Sequence, residues 1–327
     1  MLGRVKIMSK GMVNKKERKY IPGLALFNFE PAYNWSKKEA LDLFNSQIDA
    51  IDLGSYDLDE IYYQDCLKGM QELPPESIDV IIADPPFGIE FSGKEHLYNR
   101  KEENVVDDYC EISLEDYDAF SRAWIRELPR IMKDTSTAFI FSGWTNLESV
   151  LYAIRIAGLH VINHIIWQYQ FGVFTKRKFV TSHYHLLFLA KNADSYFFHK
   201  IKHYPKDVWH IKREYKPQEE KNGTKLPLKL IEDCIDYSSK PGDIILDPFM
   251  GNGTTAEAAK ANYRHFIGFE INKNLQNINQ RNLKAITLGE HYVPYNERFK
   301  KWLDKHLEIL SRKYPKAYKI WFKMQQE

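Results

Sequence analysis

"IDVIIADPPFGI", residues 78–89, decides how this chain folds. Its first six residues are almost wholly apolar and run straight into Asp84. A continuous apolar run of that length, closed by prolines, predicts a strand buried on both faces, as in a parallel sheet. Pro85 and Pro86 remove two backbone donors and fix φ, so the chain leaving the strand is stiff. A carboxylate and an aromatic ring, Phe87, are then held at the carboxyl end of a buried strand. Ligands of open α/β sheets bind at such ends.

Outward from that strand the pattern alternates. "IYYQD" (61–65), "STAFIFSG" (136–143), "GDIILDPF" (242–249) and "HFIGFEIN" (265–272) read as strands. "HVINHIIWQYQ" (160–170) and "HYHLLFLAKN" (183–192) are strands close in sequence, which predicts an antiparallel pair. Helices are expected over 113–132, capped by Ser113, over 145–158, closed by Gly158, and over 226–239, 254–263 and 273–286. "WSKKEALDLFN" (35–45) adds another, with a Ser36–Glu39 capping box and Leu41 and Phe44 on one face. The fold class is α/β: a doubly wound, mostly parallel seven-stranded sheet with an antiparallel edge pair and helical N- and C-terminal additions. The expected divisions are a basic tail and helical extension (1–60), two parts of the sheet domain (61–192 and 223–288) with a segment between them (193–222), and a basic helical tail (289–327). In that tail Trp302, Leu303, Leu307 and Leu310 should pack on the body.

The composition excludes several classes. The 327 residues are 44% hydrophobic, with a formal charge of only +2, so charge alone does not announce a nucleic-acid binder. Cys66, Cys110 and Cys234 are far apart, without metal-ligand spacing or a disulfide framework. No apolar run approaches the roughly 18 residues of a membrane span. A cytoplasmic protein without a membrane partner is expected.

A second strand end carries "DPFMGNGTT", residues 247–255. Gly251 and Gly253 permit a tight turn with close backbone approach, and Thr254 or Thr255 is placed to cap the next helix. The spacing fits neither the dinucleotide fingerprint nor the phosphate loop. Glu270 ends the next strand, where it can accept from ribose hydroxyls. A glycine loop with a carboxylate and no phosphate cradle suits a nucleoside without phosphates, such as S-adenosylmethionine. On the first motif, Asp84 and the Pro85 carbonyl are two acceptors for one amino group, and Phe87 is a stacking face. An exocyclic nucleobase amine is the matching partner.

Together these motifs resemble the β-group, the permuted form, of S-adenosylmethionine-dependent DNA amino-methyltransferases, in which D-P-P-Y/F precedes D-P-F-x-G-x-G-T-T. The resemblance runs over about residues 60–285, and it implies that 61–192 is the catalytic half, 193–222 the target-recognition segment and 223–288 the cofactor-binding half. It implies a Rossmann-like, circularly permuted methyltransferase fold and site-specific transfer to the N6 amine of a flipped adenine in double-stranded DNA. The N4 amine of cytosine is the alternative. It assigns catalysis to Asp84, Pro85, Pro86 and Phe87. It assigns the cofactor to Asp65, Thr224, Lys225, Asp247, Pro248, Phe249, Gly251, Asn252, Gly253, Thr254, Thr255 and Glu270. Gln64 stands where the family usually has Gly, and "KLP" where it has "QKP". The resemblance also implies a homodimer and a cognate restriction endonuclease as candidate partners, in a restriction–modification system.

DNA contacts are expected from Lys176, Arg177 and Lys178, set between aromatics in "QFGVFTKRKFVTSHYH", and from His183. Residues 88–112 carry "YNRK" and are expected to form a lid that orders on DNA, with Tyr98 and Arg100 among its contacts. His183 and His185 share a strand face but have no third ligand in sight, so no metal is expected. A DNA-recognition subunit without activity, or a methyltransferase of RNA or protein amides, are the readings of other classes.

Overall fold

The computed structural model describes residues 21–48, 51–87, 112–113, 115–170, 172, 175–213 and 225–326. In chain order the helices are α1 (Leu24–Phe27), α2 (Lys37–Gln47), α3 (Cys66–Glu72), α4 (Tyr117–Ile125), α5 (Leu128–Ile131), α6 (Leu147–Ile156), α7 (Leu228–Ser238), α8 (Thr254–Ala261), α9 (Gln276–Ala285), α10 (Tyr295–Lys313) and α11 (Pro315–Met324). The strands are β1 (Glu60–Tyr62), β2 (Ile78–Ala83), β3 (Met132–Ser142), β4 (His160–Gln168), β5 (His183–Ala190), β6 (Val208–His210), β7 (Ile244–Asp247) and β8 (His265–Phe269).

They form one sheet in the order β1-β8-β7-β2-β3-β5-β4-β6. All neighbouring pairs are parallel except those of β5, which runs antiparallel to both β3 and β4. The eight described strands correct the expected seven. β6 is three residues in a polar stretch and has no periodicity to betray it; it pairs through its backbone with β4. The reversed strand therefore lies inside the sheet, and β6 forms the edge.

β2 is as buried as its sequence demands. Ile81 and Ala83 face one apolar layer with Trp124, Ile125, Val150 and Ile154. Val80 and Ile82 face the other, with Ile231, Ile235, Ala256 and Ala259. Each fully buried aliphatic side chain contributes roughly 1.5–3 kcal/mol, so both helix layers are held through this strand. Winding changes direction between β7 and β2: β3 follows on one side and β8 on the other. That is the switch point of the sheet.

Several local expectations shift. Ser36 and Glu39 do form the capping box, but Leu41 stays exposed while Ala40 and Phe44 are buried. Ser113 closes a turn onto the Asp116 amide at 3.1 Å, and α4 begins only after Asp116. The helical run expected over 113–132 breaks into α4 and α5, with Pro129 in the first turn of α5, where its missing donor is harmless. The Gly158 cap holds, at φ 79°. At the C-terminal end Leu303 and Leu310 are buried, while Trp302 is 39% exposed and stacks on Phe299 and His306. Phe27 of α1 packs against Tyr318 and Trp321 of α11, so both helical additions share one apolar cluster. No helix among the described residues is long and apolar enough to cross a membrane.

Candidate active site at the switch point of the sheet

Parallel pairing of Val80 with Ile245 and Ile81 with Leu246 brings the ends of β2 and β7 side by side. Asp84 and Asp247 therefore leave neighbouring strands at the same edge. The Asp84 carboxyl is pushed up to about 7, first by burial and then by the Asp247 charge, while Arg213 pulls the other way. Asp247 is likewise pushed up to about 7 by burial, against hydrogen bonds from Thr255 and Phe249.

The D-P-P-F turn is fixed from outside. The Asn146 side-chain amide, at the start of α6, donates to the Phe87 carbonyl. The Phe87 ring lies 5.1 Å from that of Tyr184, tilted by 59°. Tyr184 in turn meets Trp167 and Tyr169, at 5.7 and 5.6 Å. The turn that follows Asp84 is thus backed by an aromatic wall supplied by β4, β5 and the residue after β4.

The glycine loop is built on the other side of the switch point. Asp247 accepts from the Phe249 amide at 2.9 Å and from the Thr255 hydroxyl at 2.6 Å. Thr255 therefore ties the helix back to the strand end, and neither threonine caps α8. The cap position is Gly253, at φ 80°, without a side-chain bond. Gly251, at φ 51°, donates its amide to Glu270 at 2.7 Å, and Asn272 donates to the other Glu270 oxygen at 2.7 Å. Burial pushes the Glu270 carboxyl up. Asn279 of α9 donates to the Gly251 carbonyl at 3.0 Å and to the Tyr63 hydroxyl at 3.2 Å. Asn252 Oδ1 and Asn279 Oδ1 are buried acceptors without a hydrogen-bond partner among the described residues. Two carboxylates and two orphaned acceptors suit a ligand that is cationic or rich in N–H and O–H donors, and disfavour a phosphate.

The remaining candidates are dispersed. Asp65 caps α3, accepting from the Lys68 amide at 3.1 Å. Lys225 pairs with Glu257 of α8 at 2.7 and 2.9 Å. Pro248 and Phe249 follow β7, and Phe249 packs edge-on against Trp124 at 5.2 Å. Thr254 opens α8 and is buried. Thr224, Tyr98, Arg100 and the lid expected over 88–112, up to residue 111, lie outside the described residues.

β4 ends and β5 begins at the same edge as Asp84, so the loop between them rises beside the site. It presents Lys176, Arg177 and Lys178 to solvent, followed by Phe179, which is 98% exposed. His183 contacts His185 edge-on at 5.2 Å, and His185 Nδ1 lies 2.7 Å from His164 Nε2. Burial, then these two neighbours, push His185 down to about 4.

Four residues of the site carry no sequence signal. Asn146, Asn279 and Tyr63 act by hydrogen bonds across distant parts of the chain. Arg213 is one of many basic residues in its segment, and only the fold shows its guanidinium over the rings of Tyr169, Tyr184 and Trp167.

A DNA methylase family model, of the N6/N4 type, matches residues 78–281. The type II methyltransferase M.HinfI of Haemophilus influenzae is 31% identical over 248 residues, covering 70% of this chain and 69% of that protein. The type II methyltransferase M2.DpnII of Streptococcus pneumoniae is 31% identical over 244 residues, covering 69% and 89%. The crystal structure of an M1.HpyAVI–SAM complex matches with a TM-score of 0.51 at 22% identity, over 68% of this chain and 98% of that one.

Proposed function

The chain belongs to the N6/N4 DNA methylase family and is S-adenosylmethionine-dependent, and from that premise we propose that it methylates the N6 amine of adenine at a specific site in double-stranded DNA, within a restriction–modification system. The observation that carries the proposal is the placement of Asp84, with its D-P-P-F turn, on the strand next to the glycine loop of Asp247. Methyl transfer needs donor and acceptor atoms about 3–3.5 Å apart and in line, and adjacent strand ends provide such proximity.

S-adenosylmethionine supplies, when bound, a methyl group made electrophilic by a sulfonium cation. Asp247, Glu270 and the acceptors of Asn252 and Asn279 fit such a cation with ribose and amino donors. The chain's own contribution to the chemistry is orientation and acceptor placement. Ionised Asp84 accepts from the amine and concentrates electron density on its nitrogen. Phe87 and Tyr184 give the base a stacking surface. A base inside a duplex cannot reach this recess, so the target is extruded. The loop of Lys176, Arg177 and Lys178 is placed to hold phosphates beside it, which fixes register without reading sequence.

The test is nucleoside mass spectrometry on DNA from a methylation-deficient host expressing either this chain or its Asp84→Ala variant. N6-methyladenine only with the intact chain is the expected result. N4-methylcytosine overturns the choice of base, and no modified base overturns the DNA reaction.

A further inference from the structure

The sheet face that carries α7 is covered unevenly. α7 packs over β2 and β3. Beyond it, the residues between β5 and β6 rest on β5 through Tyr196 and Phe198, whose rings meet Phe188 at 6.0 and 6.1 Å. Between these two covers lies a cavity of about 420 Å³ that opens to solvent. That volume is within the usual range for small-molecule sites.

The walls of the cavity are rings. On the sheet side Phe139 and Phe188 stack at 4.8 Å. Phe198 stacks on Tyr237 of α7 at 5.6 Å, with planes 13° apart, and Trp209 of β6 lies 6.1 Å from Tyr237 at 30°. Three ring planes are therefore close to parallel. Tyr204 stands at the mouth, 76% exposed. The frame is fixed: Trp209 Nε1 donates to the Lys206 carbonyl at 2.9 Å, and the Ile166 amide donates to the Asp207 carbonyl at 2.8 Å.

The chemistry around these rings selects an occupant. Residues 199–213 hold Lys200, Lys202, Lys206, Lys212 and Arg213 against a single carboxylate, Asp207. Lys206 and Asp207 line the cavity, and Lys202 Nζ lies 5.9 Å from the centre of the Tyr237 ring. Asn163 adds a carboxamide, which offers a donor and an acceptor side by side. Stacking planes call for a flat aromatic ligand, and the cationic mouth calls for an anion attached to it. A lipid chain does not need the planes, and a protein side chain does not bring the anion. A nucleobase on its phosphate satisfies both.

We propose that this cavity is a second, non-catalytic nucleobase site, which holds one unpaired base against its rings and the adjoining phosphate at Lys202 and Lys206. It lies against Asn163 and Ile165, upstream of Gln168, where β4 reaches the catalytic edge. The base held here is therefore not the base presented to Asp84. A base within a duplex has both faces stacked and its edge paired, so only an unpaired base enters.

The test is photo-crosslinking of the full chain to a short single-stranded oligodeoxynucleotide carrying one 5-iodouracil, with the crosslinked residues mapped by mass spectrometry. Crosslinks at Tyr204, Phe198 or Trp209 are expected. The same iodouracil placed inside a paired duplex should not reach them. Y204A, at an exposed position that leaves the fold intact, should bind the single strand about 5- to 10-fold more weakly, as expected for one lost base–aromatic contact, and Y204F should restore it. The free 5-iodouracil nucleotide separates the sources of the ligand: crosslinking by the oligonucleotide alone assigns the site to a strand, and equal crosslinking by both assigns it to the nucleotide unit. Crosslinks confined to Phe87, Tyr184 or Phe179, equal crosslinking from the duplex, or unchanged binding by Y204A overturns the proposal.

Discussion

Asp84→Asn should make the protein more stable and inactive at once. A carboxyl that ionises near 7 instead of its usual 3.8 has its anion destabilised by roughly 4 kcal/mol in the fold, at about 1.36 kcal/mol per pH unit. Asp84 keeps partial contact with solvent, so about half of that, roughly 2 kcal/mol, is the expected gain when an amide replaces it. The sign follows from proton counts. Between about pH 4 and 7 the folded chain holds a proton on Asp84 that the unfolded chain has lost, so stability falls as pH rises through that window. The penalty is complete above it. Urea unfolding of wild type and D84N at constant ionic strength, without cofactor or DNA, measures the difference. It should be near 2 kcal/mol at pH 8 and smaller at pH 5, where part of the folded wild type carries the proton on Asp84. A D84N chain no more stable than wild type at pH 8, or one that gains as much at pH 5, would refute the reasoning. Methyl transfer should be lost in both conditions, because the amide cannot replace an anionic acceptor.

Three further outcomes follow from the site. Gly253→Ala should weaken S-adenosylmethionine binding more than Gly251→Ala: both take a left-handed φ, costing a non-glycine residue roughly 1–2 kcal/mol, but only the Gly253 methyl would press on Asn279, at 3.1 Å. Calorimetry should show about a 10–30-fold loss against about 5-fold, and a larger loss at Gly251 would count against it. Replacing Lys176, Arg177 and Lys178 together by alanine should flatten the plot of log DNA affinity against log salt by up to about 3, since each phosphate contact adds about 0.9 to the slope. An unchanged slope would place the DNA elsewhere. Phe179→Ala should lower duplex affinity several-fold, about what one aromatic–base contact is worth, while cofactor affinity stays put; a loss confined to the cofactor would contradict a DNA-facing role.

The sequence exposes those parts of the protein whose chemistry is local. β2, β7 and β8 are short buried strands bounded by turn residues, and a continuous apolar run marks them directly. The order β1-β8-β7-β2 is legible too, because motif order and the winding of the sheet constrain each other. β6 is not legible: three polar-flanked residues become a strand only because β4 offers an open edge. The hydrogen-bond roles of the loop threonines differ for a similar reason. Thr255 Oγ could accept from an α8 amide as a cap or donate its hydroxyl to Asp247, and the bond to the buried carboxyl is the one formed. Arg213 and Asn279 show the limit, since nothing in their neighbours' identity says what lies across the pocket.

The interleaving of β7 and β8 between β1 and β2 also sets a clock on folding. Asp79 in β2 accepts a hydrogen bond from the Ile244 amide, a partner 165 positions further along the chain. At the roughly 5–20 residues per second of synthesis, that neighbour emerges about 8–33 s later. β3 can cover one flank of β2 much sooner, through pairs such as Val80 with Thr137. The other flank stays an unpaired edge of isoleucine and valine until the glycine-loop half has been made, and such edges recruit foreign strands. The same topology that sets two strand ends side by side for chemistry gives the nascent chain a long interval of exposure to aggregation, and makes its yield sensitive to temperature and to chaperones during expression.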